Sequence, residues 1–76
     1  MSDADLRWRK FSPLDRDFPI YELMDGEVIV LDVTRGENQS LEIAFHEGAA
    51  GRAFDLKLIE RLIEEVKVRL AQEDPT

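Results

Sequence analysis

Asp32 and Glu42 lie on even-numbered positions of two consecutive strand-like segments, and a hairpin that sets Val33 opposite Leu41 sets these two carboxylates side by side. Paired carboxylates can do acid–base chemistry or hold a hard cation. Like charges directly opposed across two strands also repel, and Arg35 or the basic N-terminal segment could neutralise them. With no third oxygen ligand in view, a solvated sheet surface accounts for the pair. His46 is the sole imidazole, and His46-Glu47 continues as Gly-Ala-Ala, unlike the H-E-x-x-H of zinc proteases. Ser40 and His46 share a strand, so at about 3.3 Å per residue they stand roughly 20 Å apart, beyond hydrogen-bond reach. Neither catalytic residues nor a cofactor or metal set is assigned.

Two other stretches could bind anions. Gly48-Ala49-Ala50-Gly51-Arg52 has the G-x-x-G spacing of single-strand-binding loops, and glycine-rich turns at helix starts can offer free N–H groups. Glu47 and Asp55 flank it with negative charge, so the glycines are read as the bend between a strand and a helix. Arg7-Trp8-Arg9-Lys10 interleaves cations with an aromatic ring, as nucleic-acid binders do. Four residues do not outweigh a net charge of −7, which repels nucleic acid and anionic membrane and attracts basic partners. The deficit is local: residues 1–19 carry four acids and four bases, so the acidic excess lies wholly in residues 20–76.

The elements that would position these groups follow from periodicity. Seventy-six residues without cysteine make at most one domain, with neither a disulfide nor a thiolate metal site to staple it. No apolar run is long enough to span a bilayer, and MSDADLRWRK lacks a signal peptide's apolar segment, so a cytoplasmic protein is expected. Residues 1–19, broken by Ser12-Pro13 and Phe18-Pro19, read as an extended arm that lies across the body or adds a short edge strand. Residues 20–76 read as the domain. Ile20 to Met24 is a strand, Asp25-Gly26 a hairpin signal, and Glu27 to Thr34 a second strand. A two-residue turn would set Glu22 beside Ile29, so a three-residue connection, which puts Tyr21 and Leu23 on the face of Ile29 and Leu31, is preferred. Leu41, Ile43 and Phe45 alternate in a third strand, and Arg52 to Phe54 could add a fourth.

The C-terminal segment gives the strongest signal. Asp55 can cap a helix, Phe54 and Ile59 stand at hydrophobic-staple positions, and Leu56, Ile59, Leu62, Ile63, Val66 and Leu70 form one apolar stripe. Arg61 with Glu65, and Glu65 with Arg69, are spaced to pair on the outer face. The fold expected is α+β: a two-layer sandwich in which an antiparallel meander of three to four strands packs its odd-numbered face on one C-terminal helix.

That arrangement leaves the even-numbered face bare. Val28 and Val30 point there, with Ala44 across from Val30 and Ile20 and Met24 nearby. A one-sided sheet should be polar on its open side, so an apolar excess there marks a partner surface, unless Leu6, Trp8 and Phe11 of the arm cover it. The residues expected to bind a partner are therefore Val28, Val30, Ala44, Ile20, Met24 and Trp8. The function expected is a non-enzymatic protein-interaction module, with a homodimer as one form of it, working through the second sheet face or a sheet edge. The alternative is an acidic inhibitor, of the immunity-protein or antitoxin type, that neutralises a basic toxin or nuclease.

Overall fold

The computed structural model describes residues 5–73. Four strands, β1 (Leu6–Phe11), β2 (Ile20–Asp25), β3 (Val28–Arg35) and β4 (Leu41–Phe45), form one antiparallel meander in the order β1-β2-β3-β4. A short 3₁₀ turn (Glu47–Ala49) leads to the single helix α1 (Leu56–Gln72). The two-layer α+β arrangement is the one that the alternation of the strands and the helical stripe require. The fourth strand is Leu6–Phe11 from the N-terminal segment; Arg52–Phe54 is not a strand.

The β2–β3 hairpin takes neither of the geometries that the sequence set against each other, and Ile29, expected on the face of Tyr21 and Leu23, pairs with Met24 on the other face. Its turn holds only Gly26 and Glu27, with Asp25 opposite Val28 and Gly26 at φ 63, the positive value that such a turn asks of its first central residue. Left alone, that pairing would bury Glu22. A β-bulge between Leu23 and Met24 resolves the conflict: Met24 pairs with Ile29 but Leu23 pairs with Leu31, which leaves Val30 as the extra residue. Beyond the bulge, Tyr21 and Leu23 share a face with Val33 and Leu31, as burial demands. Val30 turns to that face too: it is 0% exposed and belongs to the core cluster with Leu62, Val66 and Leu70. The expectation that Val30 points away from the helix is thus corrected by one inserted residue.

The β3–β4 register also differs from expectation. Val33 lies opposite Ile43, and Asp32 opposite Ala44, because the loop closes one pair further out, with the Gly36 N–H bonded to the Ser40 carbonyl at 2.7 Å. The Gln39 N–H bonds back to the Gly36 carbonyl, and Gln39 takes φ 70, the left-handed residue that ends a three-residue hairpin loop. Asp32 and Glu42 consequently do not face each other.

Helix α1 begins where the cap predicts, with the Asp55 carboxylate accepting the Leu58 N–H at 3.3 Å. Leu62, Val66 and Leu70 are buried, Ile59 and Ile63 pack on the core's margin, and Leu56 is 69% exposed, outside the stripe it was assigned to. Among the described residues the outer face pairs Lys67 with Glu64 at 3.1 Å, and the expected four-residue pairs through Glu65 are not formed. The indole N–H of Trp8 donates to the Leu62 carbonyl at 3.0 Å, tying β1 to the middle of the helix.

The helix end is clasped to β1 and β2. The Tyr21 hydroxyl donates to Glu73 Oε1 at 2.9 Å, and Lys10 Nζ lies 2.7 Å from the same oxygen. The Lys10 bond, then that of Tyr21, holds the Glu73 carboxyl below its ordinary pKa. The bond to Glu73 raises the Lys10 ammonium, and burial, then the Glu73 bond, raises the Tyr21 phenol. Glu73 being depressed, its contribution is full above about pH 4.3 and is lost as pH falls through the lower folded value. Lys10 and Tyr21 being raised, theirs is full below about pH 10 and is lost as pH rises through the higher folded values. We expect the stability difference between the native chain and its Glu73→Gln variant to be constant from about pH 5 to 9 and to shrink at both extremes. Urea unfolding across pH measures it, and parallel curves would contradict the clasp.

The 3₁₀ turn is seated on β3 through Gly48. A β-carbon there would lie 2.6 Å from the Ile29 carbonyl oxygen and 2.9 Å from Val28 Cγ1. Backbone cannot yield as a side-chain tip can, so Gly48→Ala is expected to destabilise by about 1–3 kcal/mol in urea unfolding. Native-like stability would show that the turn is not held against the strand.

Candidate interaction surface

The six residues expected to bind a partner do not form one surface. Trp8 and Val30 lie on the helix side. Val28, opposite Asp25, is half-exposed at the hairpin end against the 3₁₀ turn. Ile20, Met24 and Ala44 are on the second face, but Met24 is buried and Ala44 is isolated beside Asp32. A polar row crosses that face between Ile20 and Met24. Arg9 Nη2 meets Glu22 Oε1 at 2.7 Å, Glu22 pairs with Asp32, and Asp32 Oδ2 meets His46 Nε2 at 2.6 Å. The row is what an open sheet face needs, and the Arg9 guanidinium beside Glu22 offsets the Glu22–Asp32 opposition.

The glycine stretch is a chain reversal. Gly48 is buried in the 3₁₀ turn, Gly51 takes φ 68, and the Arg52 guanidinium bonds to Asp25 Oδ2 at 2.9 Å and to the Gly48 carbonyl while lying 4.5 Å from the Phe54 ring centre. Arg52 therefore braces the turn against β2. Among the described residues no group of three His, Asp or Glu side chains is placed to hold a metal ion, and no helix is long and apolar enough to cross a membrane.

The uncovered apolar surface is elsewhere, on β4. Pairing Phe45 with Leu31, Ile43 with Val33 and Leu41 with Arg35 puts the odd-numbered β4 side chains on the helix side of the sheet. Leu31 and Val33 are sealed there, yet Leu41 is 39% exposed, Ile43 48% and Phe45 70%. Width explains the difference. Four strands about 4.8 Å apart span about 14 Å between outer axes, whereas a helix is about 10–12 Å across, so one helix cannot cover all four. Here it covers β1 to β3, pinned by Trp8 and by the clasp at Glu73, and leaves β4 bare.

The β4 backbone is open as well. The His46 N–H bonds to the Val30 carbonyl at 2.9 Å, and the Ser40 carbonyl accepts the Gly36 N–H, so the even-numbered positions face β3. Antiparallel alternation then directs the N–H and C=O groups of Leu41, Ile43 and Phe45 outward, where among the described residues no strand follows. The same three residues present both free backbone groups and exposed apolar side chains. Strand β1, at the other edge, carries Arg7, Arg9 and Lys10, the kind of charge that guards an edge against added strands. Strand β4 carries one charged side chain, Glu42, on the opposite face.

The sequence names Leu41, Ile43 and Phe45 as an apolar face but assigns it to the core. The missing step was the comparison of sheet width with helix width, which becomes available once a fourth strand is counted. Comparison with protein-family models, curated proteins and solved structures found no match for this chain.

Proposed function

We propose that this protein is a non-enzymatic protein-interaction module that docks a polypeptide strand along the outer edge of β4. The observation that carries the reading is the coincidence, on Leu41, Ile43 and Phe45, of outward backbone groups with large exposed side chains. An added strand would gain main-chain hydrogen bonds from that edge and a row of apolar contacts on the helix side, the two components of β-augmentation. A photo-crosslinking amino acid in place of Phe45, expressed in cells, tests this against the same group in place of the solvent-facing Glu60. A discrete adduct at position 45 that is absent at position 60 is expected. Equal or no labelling would overturn the docking role.

A second reading, the acidic inhibitor, is favoured by a separate feature. Asp15, Asp17, Glu37 and Glu42 border an open cleft of about 760 Å³ with Arg16 and Arg35. Carboxylates outnumber guanidinium groups there, which suits a cationic side chain of a basic protein. Binding of that kind weakens steeply with salt. A basic partner held equally well at low and high ionic strength would contradict it.

A further inference from the structure

We infer that the strand received by β4 is the β4 of a second copy, joined antiparallel about a two-fold axis through Ile43. This rests on the docking role of β4 proposed above and names its occupant.

Self-pairing must match outward groups with outward groups, so each odd-numbered residue of β4 must face an odd-numbered residue of its partner. Three registers do this with at least two odd-numbered residues paired within the strand. Centring on Ile43, the middle of the five-residue β4, pairs Ile43 with the partner's Ile43 and Leu41 with the partner's Phe45. Every outward N–H and C=O of β4 is then used, giving about six hydrogen bonds. Every side-chain pair on the helix side is apolar. On the other face Glu42 lies opposite the partner's Ala44, so the two Glu42 carboxylates are only diagonal neighbours, about 7–8 Å apart.

The flanking registers are poorer. Centring on Glu42 places it directly opposite the partner's Glu42, a repulsive pair, and leaves Phe45 outside the ladder. Centring on Ala44 draws Glu47 into the ladder, although Glu47 is committed to the 3₁₀ turn and His46 is bonded to Asp32.

The central register builds one continuous sheet of eight strands, four from each copy, with both helices on one face. The apolar rows of both β4 strands meet along its midline, in the space between the helices. The three cations of β1 leave the outer edges guarded, so assembly closes at two copies. Each chain carries −7, so added salt screens the repulsion between copies and strengthens this association. A basic partner in the acidic cleft would respond with the opposite sign.

A charge exchange on the axis tests the register. Position 43 meets itself, so Ile43→Lys alone and Ile43→Glu alone each place like charges in contact. Each variant is expected to raise the dimer dissociation constant at least about tenfold in sedimentation. Mixing the two in equal amounts should restore a dimer containing one chain of each. Lys57→Glu, on the outer face of α1, should change nothing, alone or mixed with the wild-type chain. Wild-type chain that stays monomeric up to about 1 mM, single variants that still dimerise, or a mixture that fails to associate would each overturn the inference. Species larger than a dimer would indicate β4 pairing with β1 of the next copy, which also overturns it. The photo-adduct at position 45 separates the two levels of failure. An adduct with another protein's mass, from a chain that sediments as a monomer, removes the second copy and keeps the docking role; absence of any adduct removes both.

Discussion

Val30→Asp is expected to leave the chain without a cooperative unfolding transition at 25 °C, with collapsed amide dispersion in NMR spectra, whereas Val28→Asp stays folded. Val30 is fully buried and belongs to the core cluster that holds Leu23, Leu62, Val66 and Leu70. An aspartate there would have to bury an unpaired carboxylate or fold only when protonated, and the effective penalty for such a burial is several kcal/mol. Domains are stable by about 5–15 kcal/mol, and one of 76 residues belongs near the lower end. The substitution therefore consumes most or all of the margin. Val28, two residues earlier on the same strand, is 51% exposed at the hairpin end, and Val28→Asp should destabilise by about 1 kcal/mol or less. Both valines fall on the helix side of the bulged strand, and the contrast separates the open hairpin end from the sealed core. A Val30→Asp chain as stable as its Val28→Asp counterpart would show that Val30 does not face the helix.

Trp8→Ala is expected to destabilise by about 3 kcal/mol, and Trp8→Phe by about 1 kcal/mol, in urea unfolding. The indole lies across the helix side of β1, opposite Leu23, and its N–H reaches the Leu62 carbonyl. Truncation to alanine removes an aromatic body for which full burial is worth about 3–5 kcal/mol, and Trp8 is partly buried. Phenylalanine keeps most of the ring area and loses the hydrogen bond, whose net worth is about 1 kcal/mol. A Trp8→Ala chain within about 0.5 kcal/mol of wild type would mean that Leu6–Phe11 is a dispensable arm rather than a structural strand.

These two residues mark the border of what could be read from the chain. Tyr21 with Leu23, Leu31 with Val33, and Ile43 with Phe45 announce strands through period-two alternation, and Asp55 with the Leu62, Val66 and Leu70 stripe announces a capped amphipathic helix. Those features are local, and each forms the element its pattern implies, although the odd-numbered face of β4 stays exposed instead of joining the core. Val30 stands on the other face from the one expected because a bulge shifts parity by one residue and leaves no composition signal. The sequence sets an Asp25-Gly26 turn, with Glu22 beside Ile29, against a three-residue connection, whereas the observed two-residue turn lies one residue further on, at Gly26-Glu27. The β3–β4 register was misjudged by two residues, which changes no face but separates Asp32 from Glu42. A two-residue slip preserves every apolar match, so hydrophobic pattern cannot choose between the registers, and the loop that decides it depends on Gln39 adopting φ 70.

The candidate surface was legible in kind and not in place. An acidic chain with more apolar strand surface than one helix can cover must leave some of it open, and the sequence reading put the opening on the second face. The structure fills that face with the Arg9, Glu22, Asp32 and His46 row and moves the opening to β4, on the same side as the helix. Where a helix sits laterally on a sheet depends on a few long-range contacts, here the Trp8 indole with Leu62 and Glu73 with Lys10 and Tyr21. Periodicity carries no information about such contacts.

Residue-by-residue amide hydrogen exchange of β4, in dilute and in concentrated solution, tests the open edge most directly. In the dilute chain the amides of Glu42, Ala44 and His46, which face β3, should be protected, while those of Leu41, Ile43 and Phe45 exchange freely; at high concentration the second set should become protected as well. Protection of Leu41, Ile43 and Phe45 already in the dilute chain, or their free exchange at every concentration, would contradict an edge held open for a second copy.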